Sequence, residues 1–292
     1  MPSSPTVAQR RLARALRRLR VNADLTIDQV ADKVDLSAST LSRLETAQAT
    51  VRRGDIRELL DVYEVTGRQR DELLLLAMQS RRPPWWQEFR DLPQAAVADL
   101  EAQAASIRQY SALLVPGLLQ TEAYAREVLG ALLGGARPED VERLVKLRSG
   151  RQRVLTEDQS PQYVVVLDEA VLLRLIGGRH VMHAQLERLI ETSALPNVTI
   201  RVLPLAGGAH AGMDGDFTIF SFREPEDTDT VYDDPDVVYT DDLEGGRYIE
   251  DRDTTKRYGE AFAQLLETAL DPATSAQTLA ARERQLQGPE KG

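Results

Sequence analysis

Thr26–Glu45, TIDQVADKVDLSASTLSRLE, is the stretch on which the reading of this chain turns. It reads as two short helices joined by a tight turn. Thr26 is a good N-cap, and Gln29 three residues on completes a capping box. Ile27, Val30, Ala31 and Val34 recur on one helical face. Asp35 falls in the turn, where the backbone goes left-handed and Asp is tolerated better than most residues. Leu36 plugs the corner, Ser37 caps the second helix, and Leu41 and Leu44 form its apolar side. The other side carries Ser37, Ala38, Ser39, Thr40, Ser42 and Arg43, which are small, hydroxylic or cationic and never acidic. Such a face can lie in the major groove of DNA without repelling phosphate. Its hydroxyls suit phosphates or base edges, and Arg43 suits a guanine. An ordinary solvated helix face is the competing account.

Upstream, Val7 to Asn22 reads as a helix with Leu12, Leu16 and Leu19 on one side. Arg10, Arg11, Arg14, Arg17, Arg18 and Arg20 surround that stripe, and the first twenty residues contain no acid. Asp24-Leu25 is a short link. Downstream, Ala47 to Arg53 is a loop, and Gly54 to Tyr63 is a fourth helix with Ile56, Leu59, Leu60 and Tyr63 inward. Thr66 caps a fifth, which includes Leu73 to Met78. Five short helices make residues 1–80 a compact all-α domain. Arg10, Arg11, Arg52 and Arg53 flank the central pair and are placed to hold phosphates; for each, simple solvation is the alternative.

A chain of 292 residues is expected to hold two domains, here 1–80 and 81–292. Its net charge of −10 is unevenly spread. Residues 1–80 contain 13 Lys+Arg and 11 Asp+Glu, near +2, and the remainder contains 23 against 35, near −12. A weakly basic head on an acidic body predicts salt-sensitive DNA binding that dimerisation assists. No apolar run approaches a membrane span and the N-terminus lacks a signal pattern, so a cytoplasmic location is expected. With no cysteine there are no disulfides, thiol nucleophiles or thiolate metal ligands. The only histidines are His180, His183 and His210, and neither a metal nor a cofactor is expected.

Ser80-Arg81-Arg82-Pro83-Pro84 marks the boundary, followed by Trp85-Trp86, whose expected role is packing. Beyond it, Gln94–Ala105 reads as a helix and Ser106–Tyr110 as a strand. Pro116-Gly117 turns, Thr121 caps a helix to about Leu133, and Pro138–Leu155 is another. Tyr163–Leu167 is a buried strand running into a short helix, and His180–Ser193 is helical. VTIRVLPL, FTIFSF, Val237–Thr240 and Arg247–Ile249 read as strands, Thr254–Leu270 as a long helix and Pro272–Leu286 as a terminal one. Short links between neighbouring strands suggest an α+β domain with a mainly antiparallel sheet. Its candidate chemistry is thin. His180-x-x-His183 with Glu187 invites a metal, but HExxH is absent and an outward-facing helical histidine is commoner. Asp168 and Glu169 follow a strand and suit the start of the next helix as caps. Gly207–Gly212 lacks the Lys-Ser/Thr end of a phosphate loop. The acidic run Glu224–Asp251, twelve acids against Arg247, reads as a solvated loop and strand edge. No enzymatic constellation emerges.

Two resemblances extend this reading. RRLARALRRLRVNADLTIDQVADKVDLSASTLSRLE resembles the helix-turn-helix of the phage-repressor/Cro (XRE) type. The likeness implies that Ser37–Thr46 is the recognition helix, with Ser39, Ser42 and Arg43 toward base edges and Thr26, Ser37 and Thr40 near phosphates. It also implies a structural ion pair between Arg20 and Glu45. The position after the first cap, often a phosphate-bonding Gln in that family, is Ile27 here, and Ala38 stands where larger polar readers often occur. LVPGLLQTEAYAR, LRSGRQRVL, LDEAVL, QLERL, LPNVTIRVLP and GDFTIF follow the order seen in a C-terminal domain of unknown function in actinobacterial, antitoxin-like regulators. Together these imply a homodimeric transcriptional regulator on a palindromic operator in double-stranded DNA. The second domain would dimerise and bind an unknown small-molecule effector or a small partner protein. The alternative is a protein-interaction module that captures the partner, with DNA binding mainly autoregulatory.

Overall fold

The computed structural model describes residues 6–81, 85–92, 94–158, 160–222, 235–242 and 245–287. The polar N-terminal tail, Arg82-Pro83-Pro84 and much of the acidic run lie outside the described residues. The chain forms two compact units, one built on residues 1–87 and the other on 88–224 and 235–292.

The first unit is five helices: α1 Val7–Asn22, α2 Ile27–Lys33, α3 Ala38–Glu45, α4 Arg53–Val62 and α5 Gly67–Gln79. Thr6 and Thr26 open α1 and α2 with reciprocal capping boxes to Gln9 and Gln29. The apolar stripes converge on one core containing Leu12, Leu16, Val30, Leu41, Leu44, Ile56, Leu59 and Leu73.

Each of the first four helices ends the same way. Asp24, Asp35, Ala47 and Glu64 have φ of 54°, 51°, 56° and 55°. The amide after each bends back across the last turn: Leu25 to Arg20 O, Leu36 to Ala31 O, Gln48 to Arg43 O and Val65 to Leu60 O. These six-to-one bonds satisfy terminal carbonyls that would otherwise be orphaned. A side chain costs roughly 1–2 kcal/mol in the left-handed region, and none of the four is glycine. Ala47 has no polar side chain to offset that strain, so Ala47→Gly is expected to stabilise the head by about 1 kcal/mol. A rise in the denaturant midpoint at constant slope would show it; a fall would mean that the loss of backbone entropy dominates.

The second unit is helical around a six-stranded sheet. A 3-10 turn, Trp85–Phe89, reaches it, with the two tryptophan rings edge to face at 5.7 Å. The sheet contains β1 Ser106–Ser111, β2 Gln162–Asp168, β3 Val198–Leu203, β4 Phe217–Ser221, β5 Val237–Asp242 and β6 Gly245–Ile249, in the order β3-β2-β1-β4-β5-β6. It is mixed, not mainly antiparallel: β1–β2 and β2–β3 are parallel, whereas β1–β4, β4–β5 and β5–β6 are antiparallel. The reason is connection length. Helix α6 Ala95–Gln103 precedes β1, helices α7 Glu122–Leu132 and α8 Pro138–Arg151 carry the chain from β1 to β2, and α9 Glu169–Leu173 and α10 Gly178–Ser193 from β2 to β3. Crossovers of that size return the strand to the same end of the sheet.

Tyr163, Val165 and Leu167 alternate with Val166 along β2, and all four are fully buried. Burial on both faces is the mark of a parallel strand and explains the unbroken apolar run YVVVL. Phe262 and Leu265 of α11 (Arg252–Thr268) pack with Tyr110, Val166, Phe217, Ile219 and Val238. Helix α12 (Pro272–Gln287) lies along α10 and β3. Several expected helix bounds shift, two of them for a clear local reason. The helix from Pro138 becomes 3-10 over Gln152–Leu155, and α11 begins before Thr254 because Asp251 caps it, its Oδ2 accepting from Thr254 N at 2.9 Å.

Candidate nucleic-acid interface

Helix α3 is held from three directions. Its inner residues Leu41 and Leu44 are buried in the head core. Its start is fixed by Ser37, whose Oγ accepts from Thr40 N at 3.1 Å and lies 2.8 Å from Thr40 Oγ1. Its end is fixed by Glu45, which is only 7% exposed. Both Glu45 oxygens accept from Arg20 of α1, at 2.7 Å from Nε and 2.9 Å from Nη2. The third guanidinium nitrogen donates to Leu25 O at 2.9 Å. One arginine thus joins the last turns of α1 and α3 to the link that leads into α2. The Glu45 hydrogen bonds hold the Arg20 pKa above its ordinary value against opposing desolvation. The neighbouring Tyr63 hydroxyl is buried and has no hydrogen-bond partner among the described residues. Burial first, and then the Glu45 charge, raise its pKa.

The outer side is left open. Ser37, Ser39 and Arg43 are exposed, Thr40 and Ser42 are half-buried, and Ala38 is half-buried against the core. Arg43 pairs with no carboxylate among the described residues, so its guanidinium is available. Thr26 is exposed at the start of α2. Arg52 and Arg53 are exposed at the start of α4, where Arg52 is an N-cap that makes no side-chain capping bond. Asp55 in the first turn of α4 offsets the helix dipole there, and Arg52 and Arg53 remain exposed as cations that a phosphate could meet. Arg10 and Arg11 are half-buried on α1 and engaged within the protein. Ile27 packs on the core, so its position offers no polar contact.

In the second unit, the carboxylates at the strand ends are occupied. Asp168 Oδ1 accepts from Ala170 N at 2.8 Å and Glu169 Oε2 from Leu205 N at 2.9 Å. Asp216 accepts from Ser111 Oγ at 2.6 Å and Ala112 N at 2.8 Å. His210 Nδ1 accepts from Gly212 N, while its Nε2 stands 3.7 Å from Asp168. A Cβ on Gly212 would fall within 2.4 Å of the Tyr110 ring, which is why the loop needs glycine there.

Blocks far apart in sequence meet in one polar scaffold. Gln185 accepts from Thr121 N at 2.7 Å and donates to Leu119 O. Gln152 donates to the carbonyls of Gly117 and Gln120, and Arg148 donates to Gln120 Oε1 at 2.8 Å. Burial, and then the nearby Arg151 charge, lower the Arg148 pKa to about 10. Sequence reading missed these partners because no local period links Gln120, Arg148 and Gln185.

Comparison with known families matches residues 94–281 to a domain of unknown function, DUF5753, and residues 11–73 to a helix-turn-helix domain. No curated protein and no solved structure gives a significant match to the chain. No helix among the described residues is long and apolar enough to cross a membrane.

Proposed function

The chain belongs to the DUF5753 family and carries a helix-turn-helix domain ahead of it, and on that premise we propose that it is a sequence-specific transcriptional regulator of the XRE type, residues 1–80 reading DNA and residues 81–292 regulating. The observation that carries this is the acid-free outer face of α3, with Arg43 unpaired and the opposite face locked into the core by Leu41, Leu44 and Glu45. Rigid mounting matters, because a base-reading side chain must keep its register on the duplex. Ser39, Ser42 and Arg43 would face base edges. Thr26, Ser37, Thr40, Arg52 and Arg53 would hold phosphates, with the uncapped start of α4 as the second anchor.

A head with net charge near +2 binds weakly alone. Two heads on a palindromic operator, half-sites about 34 Å apart, would supply the missing affinity, so the working form is a cytoplasmic homodimer. The second domain would dimerise and take a small-molecule effector or small partner protein, as in antitoxin-like actinobacterial regulators. The strand-end carboxylates are engaged in hydrogen bonds, Asp168 as a helix cap, which suits a non-enzymatic role. Partner capture as the main role draws on exposed Leu113, Leu205 and Met213, which lie in connections at one end of the sheet.

The test is protection mapping on DNA upstream of the protein's own coding region. Two protected half-sites one helical turn apart are expected. Arg52→Ala or Arg53→Ala should weaken binding alike on all sequences and each reduce the salt slope by about 1. Absence of any protected site there or across a genomic fragment library would refute the proposal. Unchanged salt dependence in both variants would remove α4 from the interface.

A further inference from the structure

Helices α10 and α12 bring together three groups that the regulatory reading leaves unused: His183, Glu187 and Glu283. One ligand atom from each lies within 4.8 Å of the other two. Glu187 follows His183 by one helical turn, whereas Glu283 arrives from the C-terminal helix, far away in sequence. Glu283 is 9% exposed. Among the described residues neither carboxylate pairs with a lysine or arginine. Nearby Arg282 donates instead to the carbonyls of Leu172 and Leu173 and to Gln285 Oε1. With the His183 imidazole neutral, the buried Glu283 carboxylate has no counter-ion, which is costly, so the site suits a further positive charge.

The histidine contact says which kind. Its Nε2 lies 2.6 Å from Glu283 Oε1, yet this buried nitrogen makes no hydrogen bond. The two atoms are thus close together without a hydrogen bond joining them. Two atoms placed that way are related as ligands sharing one ion. With bonds of roughly 2.0–2.1 Å to a common Zn²⁺, they would subtend ~80°, and a movement under about 1 Å would open that toward a tetrahedral arrangement. Glu187 Oε2, 3.4 Å from Nδ1 on a mostly exposed side chain, has the freedom to supply the third bond. Gln287 Nε2 donates to Glu283 Oε1 at 2.5 Å and orients that carboxylate, the usual task of a group outside the ligand set.

We propose that His183, Glu187 and Glu283 form a divalent transition-metal site of the Zn²⁺ class that clamps the last turns of α12 onto α10. Helix-borne histidine and carboxylates facing one another across two helices are a common way to build such sites. The imidazole selects against Mg²⁺ and Ca²⁺, which take oxygen ligands. This departs from the sequence expectation of no metal, which weighed His180 and His183 without Glu283; His180 is exposed and outside the cluster. The proposal is independent of DNA binding.

The experiment is thermal unfolding of the chelator-treated full chain at pH 7.5 with ZnCl₂ or MgCl₂, together with equilibrium dialysis to count bound zinc. Zinc at about 100 times its Kd should raise the body's Tm by roughly 5–10 °C at one ion per chain, and magnesium should do nothing. His183→Ala and Glu283→Gln should abolish the shift. Gln287→Leu, which keeps all three ligands, should weaken zinc binding by about 10–100-fold and serves if the ligand variants fail to fold. No zinc-dependent rise in the wild type, or the same rise in both ligand variants, would overturn the proposal.

Discussion

Arg20→Ala is expected to destabilise the head by about 3–5 kcal/mol, among the largest effects of any single substitution in the unit. The loss would not be the worth of the ion pair itself. Glu45 is 7% exposed and no other cation contacts it among the described residues, so removing Arg20 leaves a carboxylate buried beside the Tyr63 hydroxyl. The carbonyl of Leu25 also loses its donor. Glu45→Gln should be milder, because the amide oxygen still accepts one hydrogen bond from the guanidinium. Arg20→Met combined with Glu45→Leu should recover most of the stability, since replacing both partners of a buried pair by apolar groups is often neutral or better. Hydrogen exchange of the α1 and α3 amides in the full chain would isolate the head from the body. A cost for Arg20→Ala below about 1 kcal/mol would mean that water reaches Glu45, and that the pair does not fix the orientation of α3.

The head was legible because its information is local. Caps at Thr26 and Ser37, the apolar stripe of α1 and the left-handed turn at Asp35 all lie within a few residues of what they control. The sheet was not. Ser106–Tyr110 and Tyr163–Leu167 are recognisable as strands one at a time, but their parallel pairing depends on a fifty-residue excursion (112–161) that no local period encodes. The run YVVVL held the available clue, since an antiparallel strand with one wet face would alternate. The same non-locality hid Glu283 from His183, and Gln120 from Arg148. On the outer side of α3, composition was readable, whereas the half-burial of Ala38 depends on how the helices stack.

Arg43→Ala should cost about 1–3 kcal/mol in discrimination at one base pair, roughly 5- to 150-fold, with little effect on stability. Arg43 is exposed, has no partner among the described residues and sits in the last turn of α3, where its charge favours the helix end. Truncation therefore removes no folded-state contact beyond a surface dipole term, and the loss should appear only against DNA. Its fork geometry matches the two acceptors of guanine, so the defect should fall on a single position of the site, while Arg52→Ala should weaken all sequences equally. Lys at position 43 should keep much of the affinity but lose part of the discrimination, because an ammonium lacks the planar fork. Selection from a randomised duplex library, at two salt concentrations, separates these outcomes. If Arg43→Ala selects the same sequences with the same preference at every position, α3 does not read bases through this arginine. If it lowers affinity uniformly instead, Arg43 is a phosphate contact, and the hydroxyl residues Ser39 and Ser42 are left to carry whatever sequence preference the head has.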